Sequence, residues 1–403
     1  MQKIVLDNGL TLLLYKKPTS SITIQATIKV GSNHENNSTR GISHFIEHLL
    51  FEGTKTRSPQ EIASSIEGVG GDFGAFTSNT RTAYYIKVLK RFFPIAADVL
   101  SDMVTNPSFD KKIIEKERNI ILSEIKMRED EPRSYLWQLL EKTLYKKHPA
   151  KHPIIGYEKN VKSISREDII SFFKKTYAPN NIIISLTGSF TNKDISTTKK
   201  LFSNLKTKPI PTQKETKEPS LDKNRVSRIS KDIQQTYIVF GYHALPKLDK
   251  DAPIFDVIQA ILGRPLSGRL FRDIRQDKGL CYDVGAHYED EIGYGFFAVY
   301  VSTEKKKESQ AESLILKHIK NVDKISQKEL KEVKQYLEGD YLLDLEDTQK
   351  LADELTYWEY AGDKDKILSY IDEIKKVTKD DITRIKNKFL NCYAKAAIEQ
   401  KHP

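Results

Sequence analysis

Two rhythms of apolar residues run along the chain. Short β-rich runs, such as Ile22 to Val30 and Tyr237 to Phe240, predict strands, and so do "RTAYYIKVL" and "GYGFFAVYVS". Apolar residues at helical spacing predict helices over Ile42 to Phe51 and Ile254 to Leu262, and charged amphipathic stretches such as "IIEKERNIILSEIKMRED" predict long ones. The start, "MQKIVLDNGLTLLLYKK", reads as a strand entered through the turn Asp7-Asn8-Gly9.

The order of these elements repeats. "TIQATIKVGS" from Thr23 resembles "TYIVFGYHA" from Thr236, a shift of 213 (236 − 23). "SREDIISFFKKTY" from Ser165 resembles "TKDDITRIKNKFL" from Thr378 at the same 213 (378 − 165). A shared shift at both ends implies duplication of one fold. Strands grouped early and helices grouped later in each half predict two duplicated α/β sandwich domains, an α+β class. The stretch 206–225, rich in Pro, Lys, Thr and Glu, reads as a linker, giving domains over 1–205 and 226–403.

Composition narrows the class. With 38% hydrophobic and 30% charged residues among 403, the chain reads as soluble and globular. No apolar run approaches the roughly 20 residues of a membrane span. The start lacks a basic n-region and a cleavage site of a secretory signal. Only Cys281 and Cys392 are present, so no disulfide framework is expected and a cytoplasmic location fits. The net charge of +10 is spread among nearby acids, which reads as a solvated surface and not a nucleic-acid footprint.

One stretch breaks the apolar rhythm. "HFIEHLLFEGT" sets His44 and His48 on one face of a predicted helix, with Glu47 beside them. Neutral imidazoles are natural zinc ligands, and H-x-x-E-H is the inverted zinc-protease order. In the second half the same shift puts Val257 and Ile261 at these places, so the fold itself does not demand histidine. A third ligand is expected from another element. Glu117 and Glu124 stand seven apart on a helix whose Ile113, Ile114, Ile120, Ile121 and Ile125 mark a buried side, though ordinary surface acids would give the same pattern. "HPAKHP" has ligand-like spacing at His148 and His152, but Pro149 and Pro153 predict a structural loop. "GVGGDFG" misses the dinucleotide fingerprint and reads as a turn.

Together, "GSNHE…GISHFIEHLLFEGT", "GVGGDFGAFTSNTRTAYY" and "EKERNIILSEI" resemble the pitrilysin-type (M16) metallopeptidases, closest to the half-size branch that includes mitochondrial processing peptidase and its prokaryotic relatives. The resemblance covers essentially the whole chain. It implies Zn²⁺ held by His44, His48 and Glu124, which lies 76 residues past His48 (124 − 48), with Glu117 supporting the site from outside. It also implies Glu47 as the base and a substrate strand pairing near Gly74, Ala75, Phe76 and Thr77. The segment "SGRLFRDIRQDKGLCYDVGAHYE" matches the family stretch whose Arg and Tyr, here Arg275 and Tyr282, reach the substrate and the tetrahedral intermediate. The family's Asn before the Ala is Gly74 here, and Thr80 stands near Thr82 where a Glu is usual, so the resemblance does not by itself imply a preference for arginine near the cut.

The expected function is a zinc endopeptidase acting on peptides or unfolded segments. The family's chamber between two bowl-shaped halves implies a partner for a half-size chain. Since this chain carries both the zinc motif and the Arg275/Tyr282 pair, a homodimer is expected. The competing class is a non-catalytic core or adaptor subunit of the same fold.

Overall fold

A computed structural model describes residues 1–210 and 216–401. Residues 211–215 of the expected linker lie outside the described residues. The strands are β1 (Gln2–Val5), β2 (Thr11–Lys16), β3 (Ser21–Ile28), β4 (Asp72–Thr77), β5 (Thr82–Leu89), β6 (Ile182–Gly188), β7 (Arg225–Lys231), β8 (Thr236–Ala244), β9 (Cys281–Glu289), β10 (Gly295–Thr303) and β11 (Ala394–Gln400). The helices of the first half are α1 (Ile42–Phe51), α2 (Pro59–Glu67), α3 (Phe93–Thr105), α4 (Lys111–Asp130), α5 (Pro132–Leu144), α6 (Glu158–Ser163), α7 (Arg166–Thr176) and α8 (Asn192–Ser203). Those of the second half are α9 (Ala252–Gly263), α10 (Glu308–Lys320), α11 (Gln327–Asp344), α12 (Thr348–Ala361), α13 (Lys366–Lys376) and α14 (Lys379–Phe389).

The chain forms two compact α+β units. The first comprises Met1–Lys126, His152–Lys214 and Leu343–Ile367; the second comprises Met127–Lys151, Glu215–Leu342 and Leu368–Pro403. The first sheet has the order β1-β2-β6-β3-β5-β4, and the second β7-β11-β8-β10-β9. Strands β2 and β6 are parallel, as are β7 and β11, while every other neighbouring pair is antiparallel. The two sheets therefore share one topology, and β1 is an addition to the first.

Local chemistry repeats too. Ser165 caps α7 by accepting from Asp168 N–H at 3.1 Å, and the Asp168 carboxylate accepts from Ser165 N–H at 2.9 Å. Thr378 and Asp381 repeat this reciprocal cap on α14 at 3.2 and 3.0 Å. At the N-terminus the structure adds a strand: β1 and β2 form a hairpin around Asp7-Asn8-Gly9, with Gly9 at φ 82°. Only the run after the turn was read as a strand, because Gln2–Val5 is short and largely exposed.

Each unit borrows a helix from the other half of the sequence. In the first unit β3 turns Ile22, Ile24, Ala26 and Ile28 into the main core, and Thr23, Gln25 and Thr27 to its opposite face. That polar face is covered by α12: Thr23 Oγ1 lies 2.8 Å from Thr348 Oγ1, and Thr27 Oγ1 donates to Thr356 Oγ1 at 3.0 Å. The buried hydroxyls are thus paired, as burial requires. In the second unit α5 sets Leu136, Leu140 and Leu144 against Val239, Ala394, Ala396 and Ile398. Gly241 leaves room for Leu140 there, since a Cβ at Gly241 would lie 2.7 Å from its Cδ1. Neither unit is contiguous in sequence, and β7 begins at Arg225, inside the stretch expected to be linker.

Candidate metal centre

The histidine helix begins without a side-chain cap of its own. Its N-cap is Gly41, which has no acceptor for the orphan amides of a first turn. The Glu35 carboxylate takes that role, accepting from Gly41 N–H and Ser43 N–H, both at 2.8 Å. Burial pushes the Glu35 carboxyl up to about 7, against the downward pull of those two amides and of Arg40. Gly41 itself has φ 95°, and a Cβ there would stand 2.5 Å from the Ile155 carbonyl oxygen. Glycine is the residue that fits.

From this start α1 buries Phe45, Ile46, Leu49 and Leu50 in the core. The i, i+4 spacing carries His44 and His48 along a different edge, with their ring centroids 4.7 Å apart. Facing them, α4 buries Ile114, Ile121 and Ile125 and turns Glu117 and Glu124 toward the imidazoles. Glu124 Oε2 lies 3.8 Å from His44 Nε2 and 3.7 Å from His48 Nε2. Glu117, 3% exposed, sets Oε2 3.1 Å from His48 Nδ1. A carboxylate on Nδ1 favours the tautomer with the proton there, leaving Nε2 as a lone-pair donor aimed at Glu124.

The donor set fits a zinc ion. One nitrogen from each histidine and one oxygen of Glu124 all lie within 4.8 Å of one another. Ligands about 2.0–2.1 Å from a tetrahedral zinc stand roughly 3.4 Å apart, close to the spacings here. Two imidazoles and one carboxylate leave the fourth position open, the pattern of catalytic and not structural zinc.

Glu47 comes from the same turn of α1. The Thr77 hydroxyl donates to its carboxylate, tying Glu47 to the last residue of β4. Strand β4 is the sheet edge, paired only with β5, so Gly74, Ala75, Phe76 and Thr77 lie on a strand with one ladder side unpaired by the sheet. At this end of the sheet the open edge is β4 alone, because Thr82 already belongs to β5, which pairs with both β3 and β4. The glycine run before β4 is a turn, but Asp72 to Gly74 of "GVGGDFG" belong to the strand.

The other named residues fall elsewhere. Arg275 and Tyr282 meet in the second unit, the guanidinium 5.3 Å from the phenol ring centroid. Arg275 sits in the wide, π-type helical segment Phe271–Asp277, a form frequent at functional sites, and Tyr282 is 68% exposed. His148 and His152 are used locally: His148 Nδ1 accepts from Ala150 N–H at 3.2 Å, and His152 Nδ1 lies 2.9 Å from Tyr157 Oη. The sequence reading singled out every side chain of the donor set but missed Glu35. The signal was there, in a predicted helix opening on glycine with an acid six residues upstream.

Similarity to known proteins agrees with this geometry. Residues 10–158 match the family profile described as insulinase (peptidase family M16), and residues 163–337 match the one described as peptidase M16 inactive domain. A protein named as an uncharacterized zinc protease from Bacillus subtilis is 34% identical over 345 residues, covering 85% of this chain and 84% of that one. A similarly named protein of Rickettsia felis is 32% identical over 402 residues, covering 98% and 96%. In fold, the chain resembles the crystal structure of a protease from Helicobacter pylori, with TM-score 0.93, 24% identity and 99% of each chain covered.

Proposed function

The chain belongs to peptidase family M16, and from that premise we propose that it is a zinc-dependent endopeptidase cleaving peptides or unfolded segments. The observation that carries this reading is the convergence of His44, His48 and Glu124 on one spot, with Glu47 beside them tied to an open sheet edge. His44 Nε2, His48 Nε2 and Glu124 would hold the metal, and Glu117 would fix the His48 ring. Zinc, when bound, supplies a Lewis acid that brings the pKa of water down toward about 7.

Glu47 receives the proton of the water that attacks the scissile carbonyl and returns it to the leaving amine. The Thr77 hydroxyl orients that carboxylate by donating to it. A substrate added as a strand beside β4 is bound through backbone hydrogen bonds, which give affinity with loose sequence demands. Arg275 and Tyr282 offer a guanidinium and a phenol O–H to the developing oxyanion. The inactive-domain description falls on residues 163–337, which contain none of the ligands, and so accords with one site per chain.

Incubating the protein with unstructured peptides and mapping the cuts by mass spectrometry tests the proposal. Cleavage abolished by a chelator and restored by Zn²⁺ is the expected result; a zinc-replete protein that cleaves nothing would favour the adaptor reading. A homodimer in the cytoplasm is the assembly we favour, since one chain carries both the ligands and the Arg275/Tyr282 pair. Subunit exchange between Glu47→Gln and Arg275→Ala/Tyr282→Phe proteins then restores about a quarter of wild-type activity if the pair serves the partner's site.

A further inference from the structure

Asp102 sits on the last turn of α3, where an acid meets the negative end of the helix and gains nothing from it. It is 6% exposed and lies outside the proposed chemistry. Its carboxylate is nevertheless fully used. Oδ2 accepts from the hydroxyls of Thr54 and Thr56 at 2.6 and 2.7 Å and from Arg57 Nη1 at 2.7 Å, and Oδ1 accepts from Asn106 Nδ2 at 3.1 Å. Three of these donors lie just after α1, which carries the histidines. The fourth lies between α3 and α4, and α4 carries Glu124. Backbone bonds join the same two segments: Lys55 N–H donates to the Asn106 carbonyl at 2.9 Å, and Ser108 N–H to that of Gly53 at 3.1 Å.

The path from this hub into α4 is held at every step. Phe109 is the one non-glycine residue with a positive φ among the described residues, at 46°. Such strain persists only where the surroundings over-determine it. Here the Phe109 ring packs edge-on against Phe173, and its carbonyl accepts from Arg166 Nε at 2.7 Å. Asp110 then caps α4, accepting from Lys112 N–H at 2.8 Å and from Ile113 N–H at 3.2 Å. We propose that Asp102 is a positioning residue for the metal: it clamps the end of α1 to the start of α4 and so sets where Glu124 meets the two imidazoles. The leverage is large. At about 1.5 Å per residue Glu124 stands roughly 20 Å beyond the start of α4 at Lys111, so a tilt of about 3° there moves its carboxylate by about 1 Å. Zinc–ligand distances vary by only about 0.2 Å. The proposal rests on the zinc reading of His44, His48 and Glu124, and not on peptide cleavage.

Metal binding by the purified chain tests the clamp without any substrate. Asp102→Asn cannot accept at both positions and loses the charge that holds Arg57, so zinc affinity should fall by about tenfold in competition with a chromogenic chelator. Co²⁺ in place of zinc absorbs visible light in bands that report ligand geometry, and those bands should shift in the variant. Lost stability alone would not move them. Thr191→Ala, which removes the cap of α8 in the same unit, should therefore leave the cobalt bands and the zinc affinity as in wild type. Should Asp102→Asn fail to fold, Thr56→Val removes one bond from an exposed position and should shift the bands in the same direction by less. Wild-type affinity and bands in a folded Asp102→Asn or Thr56→Val chain would overturn the clamp and leave the zinc reading intact, and so would an equal shift in Thr191→Ala. A wild-type chain that binds neither ion would overturn the zinc reading, and the clamp with it.

Discussion

The two units share one sheet topology, but the helices at matching places carry different side chains. In α1, His44, Glu47 and His48 stand where α9 has Val257, Ala260 and Ile261, at the spacing of 213 residues. The same spacing takes Glu117 and Glu124 of α4 to Leu330 and Leu337 of α11. Val257 and Ile261 are fully buried and Ala260 is 3% exposed, so the second copy is an ordinary apolar packing surface. The first copy has ionisable groups at those places. Buried polar groups are costly without partners, and here each has one: Glu117 meets His48, and Glu124 meets both imidazoles. The duplicated fold thus tolerates a polar seam where all its members change together. Chemistry, not packing, accounts for the seam.

The strongest way to break this comparison is at Glu47. Glu47→Gln keeps its shape and can still bond Thr77, yet cannot take a proton, so turnover should fall by at least about 10²-fold with zinc retained. A variant that cleaves mapped peptides at the wild-type rate would remove Glu47 as the base and leave α1 no more catalytic than α9.

Next in size is the support of the ligands. Glu117→Gln should weaken zinc affinity by about 10- to 100-fold, measured by competition with a chromogenic chelator. Total zinc by mass spectrometry should stay at about one per chain before the change, since Val257, Ile261 and Leu337 stand at the places in α9 and α11 that match the ligands. A stoichiometry of two would sink the one-site account.

The apolar copy should respond in stability alone. Ile261→Ala opens a cavity in a fully buried position and should cost about 2–5 kcal/mol in urea unfolding, with zinc content unchanged. Loss of zinc in that variant would contradict the assignment of the metal to the first unit.

The smallest effect concerns the cap that α1 requires. Glu35 titrates near 4.5 unfolded and at about 7 when buried in the fold. Its protonated form is therefore favoured by folding, and its contribution is fully present below about pH 4.5 and lost as pH rises through about 7. Metal-free protein should lose at most about 3 kcal/mol across that window from this group. Glu35→Gln, which cannot titrate, should flatten that part of the pH–stability curve. An unchanged slope would place the pH dependence elsewhere.

What the sequence determined by itself was whatever depends on neighbours a few residues apart. The spacing of His44 and His48, the apolar faces of α1 and α9, the reciprocal caps at Ser165 and Thr378, and the repeat that links the halves are all local patterns, because helix and strand periodicity is set by backbone geometry. The place of Glu124 in the donor set needed a family resemblance, since a carboxylate on a charged helix looks alike whether it faces solvent or an imidazole. Tertiary structure alone decided two things: that α5 covers the second sheet, and that α12 covers the first. The polar alternation Thr23, Gln25, Thr27 required some polar cover, but nothing near those residues names Thr348 and Thr356, more than three hundred positions away. Such pairings follow from which surfaces remain to be buried once the sheets have formed, and that is a property of the assembled chain.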